Sequence, residues 1–162
     1  MTCKRLYVLR HGDAGDKQAW AGPDDARPLS EAGITRTRCE LEYLAGIGVR
    51  ATRVISSPLV RAVQTAELAV GALVAEPTVV TDARLGHGFD VADLSEILRE
   101  HSDAESLLIV GHEPSLSTVV ESVMGGGSVV LKKGALVRLD LESAHPPRGE
   151  LVWLVTPAVV GC

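Results

Sequence analysis

Short apolar runs alternate with longer stretches of helical character along almost the whole chain, and this alternation constrains the fold most strongly. A βαβ rhythm builds a mostly parallel sheet with helices on its faces. The first strand is about Arg5–Arg10, followed by a Gly-, Asp- and Pro-rich loop from Gly12 to Pro28. A helix then runs from about Ser30 to Ala45, with Ser30 as its N-cap and Gly46 and Gly48 as its stop. Thr52–Ser56 reads as the second strand. Ser57-Pro58 reads as a helix start, with serine at the N-cap and proline at the first helical position, and that helix reaches about Leu73. Thr78–Thr81 is a short strand, and the loop Ala83–Phe89 leads to Asp90, which caps a helix reaching about His101. Ser106–Val110 is a buried strand, after which Gly111-His112-Glu113-Pro114 turns into a helix ending before Gly125-Gly126-Gly127. Val129–Leu131, Ala135–Leu141 and Leu151–Val155 read as strands joined by turns at Lys132-Lys133-Gly134 and His145–Gly149. The expected architecture is an α/β fold, a three-layer α/β/α sandwich whose mostly parallel central sheet carries an antiparallel edge hairpin.

Composition narrows the function. A chain of 162 residues, 46% hydrophobic and 23% charged, suits one ordinary globular domain over residues 1–162 and argues against disorder. Aromatic residues are only 3%, so the core must be aliphatic and stacking platforms for bases or sugars are scarce. The net charge of −5, without a basic block, argues against nucleic acid as a partner. No apolar run approaches the roughly 18 residues that a bilayer requires. The apolar run of the opening segment is ended by Arg10 and His11, so no signal peptide or membrane association is expected. Cys3, Cys39 and Cys162 are odd in number, far apart and without zinc spacing, and are expected to be free thiols in a reducing cytoplasm.

Three strand-to-helix junctions carry the chemistry: Arg10-His11-Gly12, Ser57-Pro58-Leu59-Val60-Arg61 and Gly111-His112. In open α/β sheets, ligands bind in the crevice at the C-terminal ends of the strands. Arg10, His11, Arg61 and His112 would converge there. Two guanidiniums favour a dianionic tetrahedral group, and a helix N-terminus behind Ser57 adds free N–H groups. Two histidines beside such an anion offer a nucleophile and a partner for phosphoryl oxygens. No carboxylate cluster or metal-ligand spacing accompanies them, so the pattern points to phosphoryl transfer without metal or other cofactor. In a chain of this composition, Arg-His-Gly is expected by chance only about 0.04 times, and its place at a strand end makes coincidence rarer still.

These motifs resemble the histidine phosphatase (phosphoglycerate mutase-like) superfamily: Leu6-Tyr-Val-Leu-Arg10-His11-Gly12, Ser56-Ser57-Pro58-Leu-Val-Arg61-Ala-Val-Gln64-Thr65-Ala66, and Val110-Gly111-His112. Asp25-Ala-Arg27-Pro28-Leu29-Ser30 and Leu131-Lys-Lys-Gly134-Ala135 are similar to the small bacterial SixA-type phosphohistidine phosphatases within it. The resemblance implies a phosphoglycerate mutase-like fold. It implies His11 as the transiently phosphorylated nucleophile, Arg10 and Arg61 on the phosphoryl oxygens, and His112 as the second histidine of the phosphate pocket. The implied substrate is a phosphorylated histidine-containing phosphotransfer protein, with inorganic phosphate as product. A small phosphate ester such as a sugar phosphate is the alternative, and a non-catalytic phosphate-binding module a further one. The glutamate acid of the larger relatives has no clear counterpart, only the stretch Asp82–Asp90.

Several residues have two readings. Arg27 either lines the pocket or supports it by pairing with Asp25 or Asp13, the latter being favoured. Asp13 is expected to order the nucleophile loop rather than shuttle a proton. Glu113 either serves the start of its helix or acts at the rim, as a substrate contact or proton donor. His87 is either an ordinary loop histidine or a residue facing the pocket. His101 and His145 read as structural or solvated, Lys132-Lys133 as a solvated turn, and Gly125–Gly127 as a connector. His11 is expected to act neutral and His112 as a cation.

Overall fold

The computed structural model describes residues 3–75 and 78–162. Met1 and Thr2 of the opening segment, and Glu76 and Pro77 before the third strand, lie outside the described residues. Six strands form one sheet in the order β3-β2-β4-β1-β5-β6. They are β1 (Arg5–Arg10), β2 (Arg53–Ser56), β3 (Val79–Thr81), β4 (Ser106–Gly111), β5 (Leu136–Ala144) and β6 (Pro147–Val155). The first four in that order run parallel, and β5 and β6 form the antiparallel hairpin at one edge.

The helices are α1 (Glu31–Gly46), α2 (Val60–Leu73), α3 (Val91–Glu100) and α4 (Ser115–Met124). Alternate side chains of the central strands serve opposite faces, as the pleat demands. Tyr7, Leu9, Val54, Leu108 and Val110 pack with Leu41 and Leu44 of α1 and with the alanines and Leu73 of α2. Leu6, Val8, Ile55, Leu107 and Ile109 pack with Leu94 and Ile97 of α3 and with Leu116 and Val120 of α4. Two aliphatic cores thus sandwich the sheet, which is the expected three-layer α/β/α arrangement. Among the described residues, no helix is long and apolar enough to cross a membrane.

The caps follow local chemistry. Ser30 Oγ accepts the Gly33 N–H at 3.0 Å, and Asp90 forms a capping box with Asp93. Gly125 closes α4 at φ 81, a left-handed position that glycine adopts without a Cβ clash.

Three expectations are corrected. α2 begins at Val60 with Leu59 at its N-cap, so Ser57 and Pro58 precede the helix. The Ser57 hydroxyl accepts the Leu59 N–H at 3.2 Å and is otherwise engaged with His112. Val129–Leu131 is not a strand: the Val129 N–H goes to the Glu121 carboxylate and the Leu131 carbonyl goes to Arg10. Cys39 and Cys162 are not free thiols but a disulfide joining α1 to the C-terminal residue, while Cys3 is the free, buried cysteine.

Glu40 lies fully buried on α1, with neither carboxylate oxygen hydrogen-bonded to protein. Burial pushes its carboxyl up to about 8. The folded chain therefore keeps the Glu40 proton well above the pH at which the unfolded chain releases it. Between those values unfolding releases a proton, so rising pH favours unfolding. Glu40→Gln should remove this dependence. In denaturant melts at pH 5, 6.5 and 8, wild type should lose on the order of 2–4 kcal/mol relative to the variant as pH rises. Parallel curves for the two proteins would contradict the assignment.

Candidate active site

Parallel pairing assembles the site. Arg10 stands opposite Gly111 and Ser56 opposite Val110 in the β1–β4 and β2–β4 ladders. The next residues along, His11, Ser57 and His112, therefore leave the sheet side by side at one edge. The ladder extends beyond the strands, because the His11 N–H reaches the Gly111 carbonyl at 3.2 Å and the Ser57 N–H reaches the Val110 carbonyl at 2.9 Å.

The loop that follows His11 is held from several sides. The Gly12 N–H donates to Thr65 Oγ1 at 3.1 Å, and the Thr65 hydroxyl donates to the Arg61 carbonyl at 2.7 Å. The Gly134 N–H donates to the His11 carbonyl at 3.1 Å. A Cβ on Gly12 would come within 2.4 Å of Thr37 Oγ1, and one on Gly33 within 2.0 Å of the Asp13 carbonyl, so α1 packs directly against this loop. Asp13 orders it, as expected: its carboxylate accepts from Lys133 Nζ at 2.6 Å and from Ser30 Oγ at 2.8 Å. The Lys133 bond is the main reason its carboxyl is held down at about 2. Lys133 is accordingly not a purely solvated turn residue.

His11 Nδ1 lies 2.7 Å from the Gly12 carbonyl. A carbonyl can only accept, so Nδ1 carries the proton and Nε2 is left with a lone pair. His11 is 8% exposed. Burial, with the Arg61, Arg10 and Arg27 charges helping, takes its ring down to about 4. It is neutral at physiological pH, the form in which an imidazole can attack. His112 packs on it at 5.1 Å between ring centroids. The His112 Nε2 meets Ser57 Oγ at 2.7 Å, while its Nδ1 is buried without a partner.

His112 is expected to act as a cation once an anion is bound, and in the free protein it starts from the neutral form. Burial first, and then the charges of His11, Arg61 and His87, bring it down to about 3. It is neutral in the free protein, and only an anion in the pocket could favour its protonation.

Arg10 donates to the Leu131 carbonyl at 2.8 Å and is pulled down chiefly by burial. Arg61 is 4% exposed and donates to both the carbonyl and the carboxylate of Asp24, at 2.8 and 3.1 Å. The same carboxylate accepts from Arg27 Nε at 3.1 Å. Arg27 therefore pairs with Asp24, not with Asp25 or Asp13, and its remaining bonds are to the Ala14 and Gly15 carbonyls. Although burial opposes it, the Arg27 bond and the nearby charges hold the Asp24 carboxyl below the usual carboxylate range. Asp24 is the site residue that sequence reasoning missed.

Glu113 accepts the Ser117 N–H at 2.9 Å, the helix-start role, and its charge also acts on Arg10. His87 faces the site after all, with its ring centroid 5.4 Å from that of His112. His101 caps α3 and contacts Arg53, and His145 contacts Ser95, both away from the other named site residues. Sequence spacing offers no metal set, yet the fold brings ligand atoms of Asp24, Asp25 and His87 within 4.8 Å of one another. Among the described residues this trio could hold a metal ion, although Asp24 already serves two arginines.

An aliphatic α/β sandwich with a buried, neutral histidine between two arginines at the switch of its strands defines a class of phosphoryl-transfer enzymes. Residues 6–86 match the histidine phosphatase superfamily (branch 1), and the chain belongs to that family. It is similar to an uncharacterised protein of Picosynechococcus, 33% identical over 86% of this chain and 87% of the relative. It is also similar to the phosphohistidine phosphatase SixA of Escherichia coli, 26% identical over 94% of both. Among solved structures, a protein histidine phosphatase SixA bound to tungstate superposes with a TM-score of 0.85 at 26% identity, over 96% of this chain and 99% of that one. The fold alone is shared with an α-ribazole phosphatase of Shigella flexneri, at 18% identity and a TM-score of 0.73 over 94% and 96%.

Two predictions follow from this geometry. In an NMR titration of the free protein, the His11 and His112 rings should keep neutral-form shifts from pH 8 down to about pH 5; titration of either near 6.5 would contradict their burial. Gly33→Ala should push the Asp13 backbone and with it the loop that follows His11. A displacement of about 1 Å costs about 10²-fold in kcat/KM. Unchanged kcat/KM in a folded variant would show that the packing against α1 is dispensable.

Proposed function

We propose that this phosphatase, as one domain over residues 1–162, removes the phosphoryl group from phosphohistidine on a histidine-containing phosphotransfer protein. The observation that carries the reading is the pairing of a lone-pair-bearing His11 Nε2 with a short connection from β3 to α3, residues 82–90 only, which leaves no length for a long lid there. Small substrates gain most from enclosure, whereas a side chain protruding from another protein needs an open site. The similarity to SixA, named as a phosphohistidine phosphatase, supports the same substrate class.

In the reaction, His11 Nε2 attacks phosphorus while Nδ1–H stays on the Gly12 carbonyl, and the bond from phosphorus to the substrate's imidazole nitrogen breaks, its electron pair leaving with that imidazole, which takes up a proton from water. Arg10, Arg61 and His112 receive the phosphoryl oxygens, and Arg27 adds positive charge from behind Asp24. Water then attacks the phosphohistidine of the enzyme and releases inorganic phosphate. The arginines supply the charge that a metal would otherwise supply, so turnover is expected to need no metal or other cofactor. The Cys39–Cys162 pairing removes the free-thiol argument for a reducing compartment, and a cytoplasmic location rests on the substrate class alone.

The test is a panel of a phosphohistidine phosphotransfer protein, an aryl phosphate and a sugar phosphate, run with and without EDTA. The phosphohistidine protein should give the highest kcat/KM by orders of magnitude, activity should survive chelation, and rapid quench should trap an acid-labile, alkali-stable phosphoenzyme on His11. Turnover undiminished in His11→Ala refutes the mechanism. A sugar phosphate as best substrate makes this a small-molecule phosphomonoesterase. Loss on chelation, restored by a divalent cation, would place a metal at Asp24, Asp25 and His87.

A further inference from the structure

Residues 131–135 hold three neighbouring residues of the site at once. The Leu131 carbonyl accepts from the Arg10 guanidinium at 2.8 Å, and the Arg10 N–H donates to the Ala135 carbonyl at 3.0 Å. The Gly134 N–H donates to the His11 carbonyl at 3.1 Å, and Lys133 Nζ donates to the Asp13 carboxylate at 2.6 Å. A shift of this turn therefore moves the backbone of Arg10 and His11 together.

The other side of the turn meets residues 156–162, which follow β6. Gly134 stands at φ 78, and a Cβ there would come within 3.0 Å of Pro157 Cγ and 3.6 Å of Glu40 Oε2. It is thus enclosed between α1 and the segment 156–162. Thr156, Pro157, Ala158 and Cys162 face Lys132 and Lys133 across a groove. Among the described residues, the backbone hydrogen bonds of residues 157–162 close within the segment. The Val159 N–H reaches the Thr156 carbonyl at 3.0 Å, the Gly161 N–H reaches Ala158 at 3.3 Å, and the Cys162 N–H reaches Pro157 at 2.8 Å. The covalent tie to α1 is the disulfide from Cys162 to Cys39, the neighbour of Glu40. Cys39 is exposed and Cys162 half-buried, so a thiolate in solution can approach the bond. Exposed disulfides are the labile and regulatory ones, and neither sulfur has a part in phosphoryl transfer.

We propose that Cys39–Cys162 is a thiol–disulfide exchange site, taking a dithiol reductant, that sets the activity of the phosphatase through the turn 131–135. Oxidised, the bond keeps residues 156–162 on the turn. Reduced, it frees them, and the turn relaxes together with Arg10 and His11. In the exchange, one thiolate of the reductant attacks the exposed Cys39 sulfur. The Sγ–Sγ bond breaks, and Cys162 leaves with the electron pair and takes a proton. The second thiolate of the reductant then attacks the reductant sulfur of the mixed disulfide and releases Cys39, which takes a proton in turn. The protein gains two electrons and two protons, and the dithiol becomes a disulfide.

The test compares oxidised wild type, wild type treated with dithiothreitol, and Cys162→Ser, all assayed on 4-nitrophenyl phosphate, so that the outcome is independent of the natural substrate. Intact mass follows the gain of two hydrogens on reduction. Displacement of a reacting group by about 1 Å costs about 10²-fold, and a loosened turn should cost about tenfold in kcat/KM. Reoxidation should restore the rate. Cys162→Ser should show the lowered rate and ignore dithiothreitol. Hydrogen exchange at the Gly134 amide should quicken on reduction, while amides at the centre of β4 stay protected. A lowered melting temperature with kcat/KM and Gly134 exchange unchanged makes the disulfide a structural staple and overturns the proposal. So does a bond that dithiothreitol opens only on unfolding, or a protein whose Cys39 and Cys162 are already thiols after purification without reductant. If Cys162→Ser fails to fold, the reversible response of wild type to reduction and reoxidation decides by itself.

Discussion

The parallel register of β2, β4 and β1 is the constraint on which the site depends. It brings strand ends from three distant parts of the chain to one edge, at one level. Nothing local to Arg10-His11, Ser57 or His112 could do this. The aliphatic composition serves the same end, because β-branched and leucine side chains fill both faces of a sheet whose central strands are buried on both sides. A one-residue slip in any of these ladders would turn each strand's side chains to the wrong core and pull its junction out of the site.

Charge is the second constraint. Arg10, Arg27 and Arg61 gather around a small volume, and desolvated cations of one sign repel strongly. Two features relieve this. The histidines beside them are neutral, so they add no positive charge of their own. Asp24 places one carboxylate between Arg61 and Arg27 and offers its carbonyl as well. Arg61 commits only part of its five-donor fork to Asp24, which leaves N–H groups for a phosphoryl oxygen. The loop from Gly12 to Pro28 is thus the source of the counter-charge.

How much of this was legible follows from what each residue does. The sandwich, the edge hairpin and the four residues Arg10, His11, Arg61 and His112 could be read because basic residues at the ends of apolar strands contradict their local pattern and so announce a task. Asp24 could not be singled out from Asp13, Asp16 and Asp25, since the choice is made by which carboxylate a short helical turn at Asp24–Ala26 delivers to the arginines. The disulfide was invisible for a related reason. Its cysteines are 123 residues apart, and only the fold brings the chain end to α1. Val129–Leu131 has strand composition, but its polar backbone groups were claimed by Glu121 and Arg10, which overrode the propensity.

The neutral resting state of His112 changes how the pocket must recognise its anion. A site preloaded with a cationic histidine would attract any anion, the product phosphate included. Here the positive charge available at rest comes from Arg10 and from Arg61 and Arg27, which share Asp24, and further charge on His112 can come only with a proton taken up beside a bound dianion. Binding and protonation are then linked, each favouring the other. The proton shared between His112 and a phosphoryl oxygen is lost again when the dianion leaves, because burial returns the ring to its neutral form. Charge on His112 would thus track the bound dianion and not the resting protein.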